Sequence, residues 1–115
     1  MTAEAVRRFC LSLPHTTESS PWGPDDLVFK IGGKIYASVV LVPAPVFMNF
    51  KCTPEEFAEL IEMPGIIPAP YVARYHWVAL EHADALPAAE IKQRVRRSYD
   101  MVLNKLPKKV RASLS

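Results

Sequence analysis

The pair Gly32-Gly33, set between Leu27 to Ile31 and Lys34 to Val42, constrains this chain more than any other feature. Both flanking runs are rich in β-branched and aromatic residues. Two consecutive glycines supply the positive φ that a tight two-residue hairpin loop needs. Such a loop pairs Ile31 with Lys34 and Lys30 with Ile35. Strict alternation from there puts Leu27, Phe29, Ile31, Lys34, Tyr36, Ser38, Val40 and Val42 on one face, and Val28, Lys30, Ile35, Ala37, Val39 and Leu41 on the other. Both faces are more apolar than a half-solvated antiparallel sheet carries. Either each face is covered, or one of them is a contact surface. Pro43-Ala44-Pro45 interrupts the ladder, because proline cannot donate to it. Val46 to Lys51 then resumes as a third strand, with Phe47, Asn49 and Lys51 opposite Val46, Met48 and Phe50.

The segments around this meander read as helices and further extended chain. Thr2 is a suitable N-cap for a helix whose Ala5, Val6, Phe9, Cys10 and Leu13 recur at helical spacing up to Pro14. His15 to Pro24 is turn-like, and Trp22 is expected to pin that loop to the core. Thr53-Pro54-Glu55-Glu56 has the form of a capping box with proline at the first helical position, with Cys52 and Phe57 at the staple positions. This middle helix buries Phe57, Leu60 and Ile61 and stops before Met63-Pro64-Gly65. Ile66 to Val72 carries two prolines and is restricted to an edge. Tyr75 to Glu81 is expected to be a strand. Pro87 opens a last helix with a buried stripe of Ile91, Val95, Ser98, Val102 and Leu106, and Pro107 closes it ahead of a basic tail. The expected fold is α+β, a two-layer sandwich in which N- and C-terminal helices pack on an antiparallel sheet of about five strands, with the short middle helix available for the second sheet face.

The 115 residues fit one domain, and a chain this long buries roughly 65% of its unfolded surface. A composition of 50% hydrophobic and 23% charged residues excludes disorder, and a net charge of +2 excludes a polycation. Any contact with nucleic acid must therefore rest on where the charges lie. Cys10 and Cys52 stand far apart with no signal peptide ahead of them, and no apolar run approaches the ~20 residues of a membrane span. The expectation is a cytoplasmic protein with reduced thiols.

Catalytic chemistry finds little support. His15, His76 and His82 lack metal-ligand spacing, so no metal or cofactor is expected. Cys52 precedes a helix N-terminus, where a thiol can be activated, but the same position suits a small apolar staple residue. Asp25-Asp26 and Glu55-Glu56 sit where capping explains them, and IGGK is explained by the hairpin. The remaining signal is basic residues interleaved with aromatics. Lys30, Lys34 and Lys51 lie on the meander, Arg74 lies beside Tyr71, Tyr75, His76 and Trp77, and the last helix and tail carry Lys105 and Lys108 among others. Such asymmetry is what phosphate binding requires, although a solvated helix face has the same look. In the two-residue register Lys30 and Lys34 point to opposite faces.

Several runs in order resemble the MmcQ/YjbR family of small bacterial proteins. They are Leu13-Pro14 with Glu18, Pro21-Trp22-Gly23, and Phe29 to Ala37 (FKIGGKIYA). Asn49 to Cys52 follows with Pro54-Glu55, then Pro64-Gly65 with Pro68-Ala69 and Tyr71. His76-Trp77, Ser98-Tyr99-Asp100 and Lys105 to Lys108 (KLPK) complete the set. The resemblance implies helices on an antiparallel sheet in the manner of bacterial frataxin, and a DNA-binding protein with a double wing of hairpins. Frataxin's iron chemistry is not implied, because its acidic ridge is missing. The family often carries two basic residues before the His-Trp pair, where this chain has Arg74-Tyr75.

Three functional expectations follow. The first is a non-enzymatic DNA-binding protein in which Lys30 and Lys34, Arg74 near His76, and Lys105 with Lys108 contact phosphates and Tyr71 or Trp77 stacks on a base. The second is a small anionic ligand held between the sheet and the last helix by Lys30, Lys51, His76, Tyr99 and Lys105. The third is a protein-interaction or dimerisation domain that uses an uncovered sheet face.

Overall fold

The structure, a computed structural model, describes residues 1–114. Its centre is one six-stranded antiparallel sheet with the spatial order β1-β2-β3-β4-β6-β5. The strands are β1 (Thr17–Ser19), β2 (Asp26–Ile31), β3 (Lys34–Val40), β4 (Met48–Lys51), β5 (Ile66–Pro68) and β6 (Trp77–Leu80). The helices are α1 (Ala3–Ser12), α2 (Pro54–Leu60), α3 (Ala88–Lys105) and α4 (Lys108–Ser113), with a 3-10 turn at Ala73–Tyr75. Both edge strands have only three residues, and β5 ends in Pro68, so the sheet offers little free edge to another chain.

The hairpin forms as its glycines require. Gly32 and Gly33 have φ of 58° and 81°, and Ile31 pairs with Lys34. Two residues further on, the register slips: Lys30 faces Ile35 but Phe29 faces Ala37, so Tyr36 is the extra residue of a β-bulge. Strict alternation therefore fails beyond the bulge. Ala37 and Val39 join Leu27 and Phe29 on the helix side, while Ser38 and Val40 turn to the other face. The freed Tyr36 carbonyl accepts a hydrogen bond from Ser98 Oγ of α3 at 2.6 Å, and Ser98 Oγ accepts one from Lys51 N at 3.0 Å. A buried serine thus satisfies the backbone that the bulge leaves unpaired.

All four helices contribute to one face. Leu60 of α2 belongs to the same core as Val6 and Cys10 of α1, Ile91 and Val95 of α3, and the inward residues Phe29, Tyr36, Met48, Phe50, Val78 and Leu80. The sequence made the middle helix available for the second sheet face, but the helix packs on the same side as the others. Its apolar Phe57, Leu60 and Ile61 join the main core, and Glu56 binds Arg94 and Arg97 of α3. Thr53 and Glu56 form the expected capping box. Three segments depart from expectation. Thr17–Ser19 pairs with β2 as an edge strand, the strand at Tyr75 begins only at Trp77, and the basic tail winds into α4. His76 has φ 64° and ends the 3-10 turn, which delays the strand. No helix is long and apolar enough to cross a membrane among the described residues.

Candidate functional site

Two features stand out: a basic end of the sheet, and a groove on its uncovered face. The basic end is assembled by topology. The β2–β3 hairpin, the end of β4, the start of β6 and the C-terminus of α3 meet there. Lys51 pairs with Trp77, and Cys52 N donates to the His76 carbonyl at 2.9 Å. A β-carbon placed on Gly32 would meet Leu106 Cδ1 at 2.5 Å and Val110 Cγ1 at 3.1 Å, so the hairpin tip lies against the α3–α4 junction. The tip is therefore a packed element, and the β2–β3 pair does not project as a free wing.

Ion pairing divides the basic residues sharply. Arg7 is paired with Glu18 and Glu4, Arg8 with Glu4, Arg94 with Glu56 and Glu90, Arg96 with Asp100, and Arg97 with Glu56. Among the described residues no lysine takes part in an ion pair. Lys51 Nζ donates to the Tyr75 carbonyl at 2.6 Å. Burial, and then the positive charge of Lys105, hold the Lys51 amine below its usual pKa. Two cations are thus close enough to repel, with no carboxylate bonded to either.

The expected site residues separate into groups. Lys30, Lys34, Lys51, Arg74, His76, Lys105 and Lys108 lie on the elements that meet at this end. Lys34 is exposed and shares the helix side with Ile31, whereas Lys30 shares the opposite face with Ile35. The Arg74 guanidinium lies over the Tyr75 ring at 4.8 Å. The His76 ring meets Phe57 edge-on at 5.7 Å. Tyr71 is fully exposed with φ 69°. Trp77 is half-buried on the open face.

Tyr99 does not belong to a surface site. Its ring is 3% exposed and packs at right angles on Tyr36, and its hydroxyl donates to the Pro14 carbonyl at 2.6 Å. The space between sheet and last helix is filled by core side chains, among them Tyr36, Phe50, Val95 and Tyr99. Both thiols are buried, and that burial pushes Cys10 up to about 12 and Cys52 up to about 11. The helix N-terminus behind Cys52 does not overcome that burial. Among the described residues no three His, Cys, Asp or Glu side chains group as metal ligands.

The open face carries the feature that sequence reasoning missed. A groove of about 720 Å³ runs over it, lined by Ile35, Ser38, Val40, Val46, Asn49 and Trp77, with Trp22 and Asp26 at one side and Pro70, Tyr71 and Val72 at the other. Trp22 does not pin its loop to the core; it is 67% exposed and borders this groove. Asn49 Nδ2 donates to Ser38 Oγ at 2.9 Å, while its Oδ1 is buried and has no partner among the described residues. Leaving such an acceptor unbonded costs about 1–3 kcal/mol. A polar Asn49 within the apolar strand Val46 to Phe50 was the available signal. The bulge concealed it, because simple alternation keeps Ser38 off the face that Asn49 occupies.

A six-stranded antiparallel sheet with all helices on one side, a basic end and an aromatic groove defines a small α+β domain. The YjbR family model matches residues 11–101, and the chain belongs to the YjbR family. It is similar to "Uncharacterized protein YbdF" of Escherichia coli O157:H7, at 28% identity over 107 residues covering 92% of this chain and 88% of that protein. Among solved structures it resembles the Deinococcus radiodurans protein DR2400, a DUF419 domain, with TM-score 0.86 and 30% identity over 98% of this chain and 87% of that one. A Pseudomonas syringae protein gives TM-score 0.74 and 25% identity over 89% of this chain and 99% of its own.

Proposed function

We propose that this protein is a non-enzymatic DNA-binding module of the cytoplasm that contacts phosphates through the lysine-rich end of its sheet. The observation that carries the reading is the division of cations. The arginines of α1 and α3 are largely held by carboxylates, while Lys30, Lys34, Lys51, Lys105, Lys108 and Arg74 lie on the elements that meet at one end of the sheet, without an ion pair among the described residues, and Lys51 and Lys105 are close enough to repel. Packing unpaired cations together raises the electrostatic energy of the free protein, and a polyanion relieves it by releasing its own counterions. The lack of any lysine ion pair among the described residues favours this over an ordinary solvated face, where mixed charges pair locally.

The test is fluorescence anisotropy of a labelled duplex across a salt series. Four to six phosphate contacts give a slope in log K against log salt of roughly −4 to −5. Lys34→Glu with Lys105→Glu should flatten that slope and weaken binding at low salt by at least about tenfold. Absence of binding at low salt, or binding indifferent to both salt and the charge reversals, refutes the proposal.

A further inference from the structure

We propose that the groove on the open face is a binding site for one planar heteroaromatic ring carrying an N–H donor, the chemistry of a nucleobase. Three observations converge on that class. The volume, about 720 Å³, lies in the range of sites for small organic molecules. Both tryptophans of the chain, Trp22 and Trp77, line it, with Tyr71 at its rim, and flat π surfaces select flat ligands. Asn49 lines the groove, and its buried Oδ1 has no donor among the described residues. Beside it the Ser38 hydroxyl accepts from Asn49 Nδ2 and keeps its own proton available for an acceptor on the same ring edge.

Charge completes the selection. Asp26 is the one charged residue lining the groove, so the lining repels an anion and favours N–H groups. The lysines that would serve phosphates lie at the end of the sheet, outside this lining. The ring site therefore stands independently of the phosphate reading. A base carried on a strand would engage both regions, while a free base or nucleoside would engage the groove alone.

Trp22 and Trp77 are the chain's only tryptophans, so their emission reports the groove directly. The wild-type protein is titrated with adenosine, guanosine, cytidine and thymidine, and separately with single-stranded dA and dC oligonucleotides, following emission and heats of binding at two salt concentrations. The expected result is quenching by at least one free nucleoside, with an affinity indifferent to salt. Asn49→Leu and Ser38→Ala should each weaken it about tenfold or more, with unfolding midpoints no lower than wild type for Asn49→Leu. Lys34→Glu should leave nucleoside binding unchanged and weaken only the oligonucleotides. The inference is overturned if no nucleoside binds up to about 10 mM, or if Asn49→Leu and Ser38→Ala, both folded, bind as wild type. Oligonucleotide binding that depends on Lys34 without any tryptophan response also overturns it, while leaving the phosphate reading standing. So does sedimentation as a dimer that Trp22→Ala dissociates, because the groove would then be a contact between copies.

Discussion

The two faces of the sheet are built from the same strands and obey different rules. The helix face is complete: Phe29, Tyr36, Phe50, Val78 and Leu80 are fully or almost fully buried, and even its polar members, Ser98 and the Tyr99 hydroxyl, are hydrogen-bonded. The open face is incomplete. Its Trp22 and Tyr71 are exposed, and it buries an acceptor without a donor. The core bonds its polar groups internally, whereas the proposed ring site leaves one acceptor without a donor.

The largest expected effect sharpens that contrast. Phe50→Ala, in the filled face, should cost about 3–5 kcal/mol, while Trp22→Ala, at the rim of the open face, should stay within about 0.5 kcal/mol. Paired urea unfolding curves measure both, and equal losses would abolish the distinction. Next comes Ser98→Ala, which strips the Tyr36 carbonyl and the Lys51 amide of their shared partner and should cost about 2–3 kcal/mol. Amide exchange should then quicken around Tyr36 and Lys51 ahead of the remaining sheet; uniform exchange would mean that the bulge needs no support.

Gly32→Ala should cost about 1–3 kcal/mol, because the added methyl lies against Leu106 at a backbone φ of 58°. Gly33→Ala meets no atom within 4 Å and should cost less. Reversal of that order, read from melting curves, would show that the hairpin tip stands free of the C-terminal helices.

The smallest effect concerns pH. Burial raises the Glu56 pKa, but its hydrogen bond from Thr53 N, its bond from Arg97 and the charge of Arg94 outweigh that and leave it below its usual value. A carboxylate depressed on folding adds stability above its unfolded pKa and loses it as pH falls through the folded one. Glu56→Gln should therefore lower stability by about 1–2 kcal/mol at neutral pH, and the deficit should shrink below pH ~4. A deficit constant with pH would assign Glu56 a purely steric part.

Much of this was legible from short stretches. Gly32-Gly33, the Thr53–Glu56 capping box, and the prolines that bound α3 each act through neighbours in the chain, so local stereochemistry specifies them. The closeness of Lys51 to Lys105 was not legible, because it depends on how α3 lies across β4. The inclusion of Tyr99 failed for a related reason. Its aromatic hydroxyl looks the same in a sequence whether it faces solvent or the Pro14 carbonyl.

The sequence alone determined the hairpin loop, the limits of α1 and α3, the α+β class and the family. Only the tertiary structure decided which residues share a face. The slip at Tyr36 is stabilised by a serine 62 residues away, and no local period can encode such a partner. It also decided that every helix would choose the same side. Apolar burial is non-directional, so α2 could have covered either face by its hydrophobic pattern. The ion pairs from Glu56 to Arg94 and Arg97 tie it to α3, and the other face stays open.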